Sequence, residues 1–240
     1  MFRVIICVFL FLSFTDAQAF NQNFNQAKAQ LREYYKSNPL LRTFYCDCKI
    51  QWVGKKGIPQ KELCGYEPRN ISSRAERVEW EHIMPASWFG RDLQCWQKDK
   101  RQYCNKNDPK YRKMEGDMHN LFPVIGEINA DRSNYRFGNV LISNGDYGKC
   151  DFKISFKGRK VEPRSEVKGD IARAMLYMSD RYNVKISKSQ KRLYEVWSKN
   201  DPVSAEELKR NDYIKLVQGN GNPFVEGSYL DSIKSFFKYN

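Results

Sequence analysis

Two histidines occur in the 240 residues, His82 and His119, and both sit in the densest concentration of side chains able to carry acid–base or metal chemistry. The first segment reads Val78-Glu79-Trp80-Glu81-His82-Ile83-Met84-Pro85-Ala86. The second reads Glu115-Gly116-Asp117-Met118-His119-Asn120-Leu121-Phe122-Pro123, followed by Gly126-Glu127-Ile128-Asn129-Ala130-Asp131-Arg132-Ser133-Asn134. Histidine titrates near neutrality and is the commonest general base. Glu81 and Asn129 offer oxygen donors, which suit a hard ion such as Mg²⁺ that keeps most of its waters and takes one or two protein ligands. Arg101 lies in a stretch bracketed by Cys95 and Cys104 and could bring a guanidinium to a phosphate. A base, a cation site and an arginine are what hydrolysis of a phosphodiester requires. Spacing alone does not settle the matter, because a glutamate beside a histidine is more often a structural pair than a catalytic one.

These residues need elements to hold them. Val78 to Ile83 reads as a strand with Val78, Trp80 and His82 on one face and Glu79, Glu81 and Ile83 on the other. Glu81 and His82 then point apart, so the strand must end or twist there for both to serve one site; Pro85 makes a break nearby plausible. Gly126 to Asn134 reads as a short helix with Asn129 and Arg132 on a shared face. Upstream, Phe24, Ala27, Leu31 and Tyr34/Tyr35 recur at helical spacing within Gln22 to Ser37, and the cysteine-bearing stretch from Phe44 to Tyr66 reads as short strands or an irregular hairpin.

Downstream, Asn139 to Phe156 suggests two strands, one on Val140-Leu141-Ile142 and one on the alternating Phe152 to Phe156. Val167, Ile171, Met175 and Met178 form the core stripe of a helix within Arg164 to Tyr182. Further helices are expected over Ser189 to Lys199 and from Ser204, where Ser204 and Glu207 fit a capping box, toward Val217. The sum is a mixed α+β single domain spanning 20–240 with a mainly helical C-terminal half.

The N-terminus reads Met1-Phe2-Arg3, an apolar run from Val4 to Phe14, and small residues at Ala17-Gln18-Ala19. That is the pattern of a secretory signal peptide, residues 1–19, removed after Ala19. The run is too short to span a bilayer, which takes roughly 20 residues, so no membrane association is expected after cleavage. Export fits the cysteines: Cys7 falls in the leader and leaves Cys46, Cys48, Cys64, Cys95, Cys104 and Cys150. An even set in an oxidising compartment reads as disulfides, and no pair has the C-x-x-C spacing of a zinc knuckle. The net charge of +13 points to a polyanionic partner, bound through phosphates or similar groups with an affinity that weakens in salt.

Residue identity goes further than spacing. Glu79 to Ala86, Gln94-Cys95-Trp96, Asp117 to Leu121, Gly126 to Arg132 and Gln218-Gly219-Asn220 with Asn222-Pro223-Phe224, taken together in this order, closely resemble the endonuclease I family of bacterial periplasmic and extracellular nucleases. The resemblance covers nearly all of the mature chain. It implies a ββα-metal finger within a disulfide-linked α+β nuclease that cleaves DNA, and often RNA, without sequence preference, as a monomer using one Mg²⁺, with Mn²⁺ or Ca²⁺ as substitutes. It implies His82 as general base, Glu81 and Asn129 as metal ligands, Arg101 as the phosphate-stabilising arginine, and Glu115 as an acid lining the site. His119 matches a family position too, and we read it as a strand-end histidine making supporting hydrogen bonds.

Family members often carry eight mature cysteines, and this chain has six. Six allow 15 pairings. Cys95 with Cys104 is preferred because it would pin the loop carrying Arg101; Cys48 with Cys64 and Cys46 with Cys150 are then what remains. The alternative of another class is an exported protein that binds nucleic acid or another polyanion without catalysis; it explains the charge but not the Glu81, His82 and Asn129 constellation.

Overall fold

The structure, a computed structural model, describes residues 23–143 and 145–227. The leader expected at residues 1–19 lies outside the described residues.

The chain opens with helix α1 (Phe24–Ser37), whose start is fixed by a reciprocal capping box between Asn23 and Gln26 and which buries Ala27, Leu31, Tyr34 and Tyr35. A short hairpin, β1 (Ile50–Val53) and β2 (Lys56–Pro59), and a single turn, α2 (Lys61–Cys64), make up the cysteine-bearing stretch. The centre is built on β3 (Val78–His82) and β4 (Leu121–Ile125), paired antiparallel with Glu81 opposite Phe122 and His82 opposite Leu121. Between them run α3 (Ala86–Gly90), α4 (Trp96–Asn107), α5 (Pro109–Glu115) and a 3-10 turn at Met118–Asn120.

Helix α6 (Gly126–Arg132) follows β4 without a loop and completes a ββα unit. Every residue of β4 is buried, which explains its unbroken apolar run Leu-Phe-Pro-Val-Ile. Pro123 is tolerated because β4 pairs with β3 alone, and its carbonyl accepts the backbone N–H of Phe44 at 2.8 Å. Gly126 is required where α6 begins: a Cβ there would lie 2.6 Å from the Arg74 carbonyl oxygen.

A second, three-stranded sheet of β5 (Arg136–Phe137), β6 (Lys153–Ser155) and β7 (Lys160–Glu162) has the order β5-β7-β6. Three longer helices follow: α7 (Lys168–Tyr182), α8 (Lys188–Asn200) and α9 (Ala205–Gln218). The expected stripe Val167, Ile171, Met175 and Met178 is buried in the main core. This is the mixed α+β single domain expected, with a helical C-terminal half.

Three disulfides close it, Cys46–Cys150, Cys48–Cys64 and Cys95–Cys104, in the expected pairing. Two local expectations fail. Val140 to Ile142 forms no strand; Leu141 and Ile142 point out at 99% and 77% exposure, so their β-propensity meets no partner surface. The capping box at α9 is only half made. Ser204 accepts the Glu207 N–H, but the Glu207 carboxylate turns inward to a buried ion pair with Arg173, which outcompetes the short reach back to the cap.

Candidate active site

Glu81 and His82 are the last two residues of β3, so the alternation that separates them stops where it would matter. The end is secured from both sides. The Arg132 guanidinium, only 1% exposed, donates to the carbonyls of His82 at 2.8 Å and Ile83 at 2.5 Å. The Asn120 side chain accepts the Met84 N–H at 2.7 Å and donates to the Met84 carbonyl at 3.0 Å. Backbone groups that leave a ladder inside a protein must find partners, and here two buried side chains supply them.

His82 is packed between the rings of Phe24, 4.9 Å away, and Phe89, 6.1 Å away. Its Nε2 lies 2.9 Å from the Glu115 carbonyl oxygen, which can only accept, so Nε2 carries the hydrogen. Burial, and then the nearby Arg101 charge, pull the imidazole down to about 3, so the ring is neutral and Nδ1 keeps its lone pair. Glu81 is almost fully buried. Tyr45 donates its hydroxyl to Oε1 at 3.0 Å and Arg132 approaches the same oxygen at 2.9 Å. Burial pushes the Glu81 carboxyl up, against the pull of Arg132 and Tyr45. Both of these contacts fall on Oε1, so Oε2 is the oxygen that could meet a cation.

Asn129, one turn before Arg132 on α6, donates its amide Nδ2 to Glu79 Oε2 at 2.9 Å, and that bond fixes which way the amide points. Glu79 is itself held by Arg74 and Arg77, which together with the Asn129 amide draw its carboxyl below the usual range against burial. The Asn129 oxygen is thus presented away from Glu79. Arg101 is the first residue after a break in α4, where Asp99 and Lys100 leave helical geometry, and the Cys95–Cys104 bridge spans that break. Arg101 donates Nε to Glu115 Oε1 at 2.6 Å, while 48% of its side chain remains exposed. Asn105 donates to the other Glu115 oxygen.

Glu81, His82, Arg101 and Asn129 line one cleft of about 320 Å³, with Trp80, Trp96 and Asn134 among its walls. Glu115 does not line it. The expected place of Glu115 is corrected here: 1% exposed, it sits behind the cleft, where its carboxylate orients Arg101 and its backbone carbonyl orients His82. Among the described residues no cluster of three or more His, Cys, Asp and Glu could hold a metal. The cleft instead offers one carboxylate and one amide oxygen, the sparse, hard donor set that suits a largely hydrated Mg²⁺.

The endonuclease I sequence profile matches residues 23–228. The chain belongs to the endonuclease I family. It is 47% identical to an extracellular deoxyribonuclease of Aeromonas hydrophila over 94% of this chain and 98% of that one. It is 47% identical to a periplasmic deoxyribonuclease of the same organism over 85% of this chain and 86% of that one. Endonuclease-1 of Buchnera aphidicola subsp. Baizongia pistaciae is 48% identical, over 86% of this chain and 84% of its own. Membership makes the chain a nuclease of the exported kind, and no helix among its described residues is long and apolar enough to cross a membrane.

His119 is not among the residues that line the cleft. It belongs to the 3-10 turn, packs 4.7 Å from the Tyr177 ring, and pairs its Nε2 with the Asn220 carbonyl at 3.0 Å. The groups that hold the site are the ones periodicity does not reveal. Arg132 shares a face of α6 with Asn129, but its pairing with Glu81 has no mark in the sequence; Glu79 shares the Glu81 face of β3, a signal that it too meets α6. Tyr45, 36 residues upstream of Glu81, leaves no local signal at all.

Proposed function

We propose that this protein is an exported Mg²⁺-dependent enzyme that hydrolyses phosphodiester bonds of DNA, and of RNA, without regard to sequence, with His82 as general base. The observation that carries the reading is the single cleft shared by Glu81, His82, Arg101 and Asn129, in which the His82 tautomer leaves Nδ1 free. The relatives named as deoxyribonucleases support DNA as substrate. All four side chains come from one chain, so the reading needs no second subunit.

Glu81 Oε2 and the Asn129 amide oxygen would hold the cation, which when bound neutralises charge on the scissile phosphate and the leaving oxygen. The Glu81 carboxyl fits this task, because burial leaves it short of positive charge that one arginine only partly restores. His82 Nδ1 accepts the proton of the attacking water, and the Glu115 carbonyl at Nε2 holds the ring at that angle and stabilises the positive charge it gains. Arg101 is one of the two leading causes of the low His82 basicity. A phosphate anion docked against Arg101 offsets that charge and raises the basicity when substrate is present. The side chains that face the cleft suit phosphate rather than base edges, and phosphate contacts carry no sequence information.

The test is plasmid cleavage across a Mg²⁺ titration. Cleavage should stop with EDTA and return with added Mg²⁺, and Glu81→Gln and Asn129→Ala should each raise the Mg²⁺ needed for half-maximal rate by about tenfold or more. Undiminished cleavage in EDTA would sink the metal reading, and binding of DNA with no cleavage in any divalent metal would leave only a polyanion-binding protein.

A further inference from the structure

A second cavity, of about 420 Å³, opens beside the cleft, and Asn134 lines both. Arg91, Arg136, Arg159 and Lys185 surround it with half-buried Trp88, and no carboxylate is among its lining residues. Among the described residues Arg136, Arg159 and Lys185 pair with no acid, and Arg91 only approaches Asp92 at 4.0 Å. What sets these cations apart is that they share one concave surface whose lining holds no acid. Four cations left together around a concave surface repel one another, an arrangement that becomes favourable when an anion enters.

Two further features point the same way. The cavity reaches Ser187, the N-cap of the 13-residue helix α8, so the positive end of that helix faces it. Arg159 takes a left-handed backbone at φ 49° and donates Nη2 to Asn134 Oδ1 at 2.8 Å, which ties the basic wall to the residue shared with the cleft.

We infer that this cavity is a nucleic-acid subsite that holds the phosphodiester backbone of the substrate beyond the scissile phosphate, with Trp88 available to stack a base. The inference rests on the proposed nuclease reading for the path of the strand, since Asn134 joins the cavity to the cleft where the cut is made. Its ligand is a polyphosphate chain several nucleotides long rather than a mononucleotide, and it governs how tightly substrate is held, not the chemistry of the cut.

The measurement is the salt dependence of binding to a duplex of about 30 base pairs, in EDTA, between about 50 and 300 mM NaCl, for the parent protein and for Arg136→Gln/Lys185→Gln. Arg159 is left in place because it holds Asn134. Each phosphate of the duplex that the protein no longer neutralises should lower the magnitude of the slope of log K against log salt by about 0.9, so the slope for the double variant should fall by about 1.8 and its binding should weaken on the order of tenfold. In cleavage assays the effect should appear in KM rather than kcat. The charge-conserving Arg136→Lys/Lys185→Arg should keep most of the parental slope, which a merely structural role would not require. An unchanged slope in the double variant overturns the inference, as does an effect confined to kcat. A parent protein that binds DNA but never cuts it defeats the catalytic reading instead, and the slope still decides the subsite.

Discussion

At the scale of single residues, the two histidines share an environment type and differ in where they sit. Each is buried, and each spends Nε2 on a backbone carbonyl. His82 lines a cleft, whereas His119 packs near Asp117 and Tyr177. Burial depresses His119 to about 4, from an ordinary value near 6.5. Above pH 6.5 both folded and unfolded forms are neutral at this position. As pH falls from 6.5 toward 4, the unfolded chain takes a proton that the folded one refuses, so stability is lost across that window. The loss attributable to His119 between pH 7 and pH 5 is about 2 kcal/mol. Urea unfolding at the two pH values should show that difference shrinking by this amount in His119→Gln; an identical pH dependence would contradict the neutral, buried assignment.

At the scale of elements, β3, β4 and α6 bring the site together, and two of the three were legible. Val78 to His82 alternates, and Gly126 to Arg132 places Asn129 and Arg132 one turn apart, so the strand and the helix could be read from periodicity. β4 could not, because a strand buried on both faces has no alternation to read and Pro123 argues against a strand. The helices α4 and α5 were equally hidden. Their sequence is mostly polar, and the break at Asp99 and Lys100 interrupts any helical pattern. What was legible there was the bridge, whose role follows from where it lies.

Cys95–Cys104 closes a short loop around Arg101, whereas Cys46–Cys150 ties together positions 104 residues apart. The chain-entropy argument gives about 2.6 kcal/mol for the short loop and about 4.7 kcal/mol for the long one. Replacing Cys46 and Cys150 by serine should therefore cost more stability, and replacing Cys95 and Cys104 more activity, because the second change frees the turn that aims Arg101. Denaturation midpoints and plasmid-cleavage rates for the two paired variants measure this; equal loss of activity per unit of stability would remove the positioning role.

At the scale of the whole molecule, the +13 charge acquires a place. Part of it lines a cavity that adjoins the cleft, so attraction to a polyanion and the chemistry of the cut are neighbours rather than separate properties. Composition could supply the sign of the partner but not this adjacency, which depends on β5, β7 and the start of α8 meeting the end of α3. The order of motifs along the chain did carry the family, and it named the four side chains that the fold brings to one cleft. The partners that hold them, Tyr45 and Arg132 on Glu81 and Asn120 on Met84, exist only once the chain has folded.

The central claim is that this cleft cuts phosphodiesters with His82 as its base. It is tested most directly by steady-state cleavage of plasmid DNA in saturating Mg²⁺, comparing the parent with His82→Ala at matched DNA binding and matched folding by circular dichroism. The account predicts a fall in kcat of about 10² to 10⁴ with DNA affinity retained. A His82→Ala protein that cuts at the parental rate would contradict it.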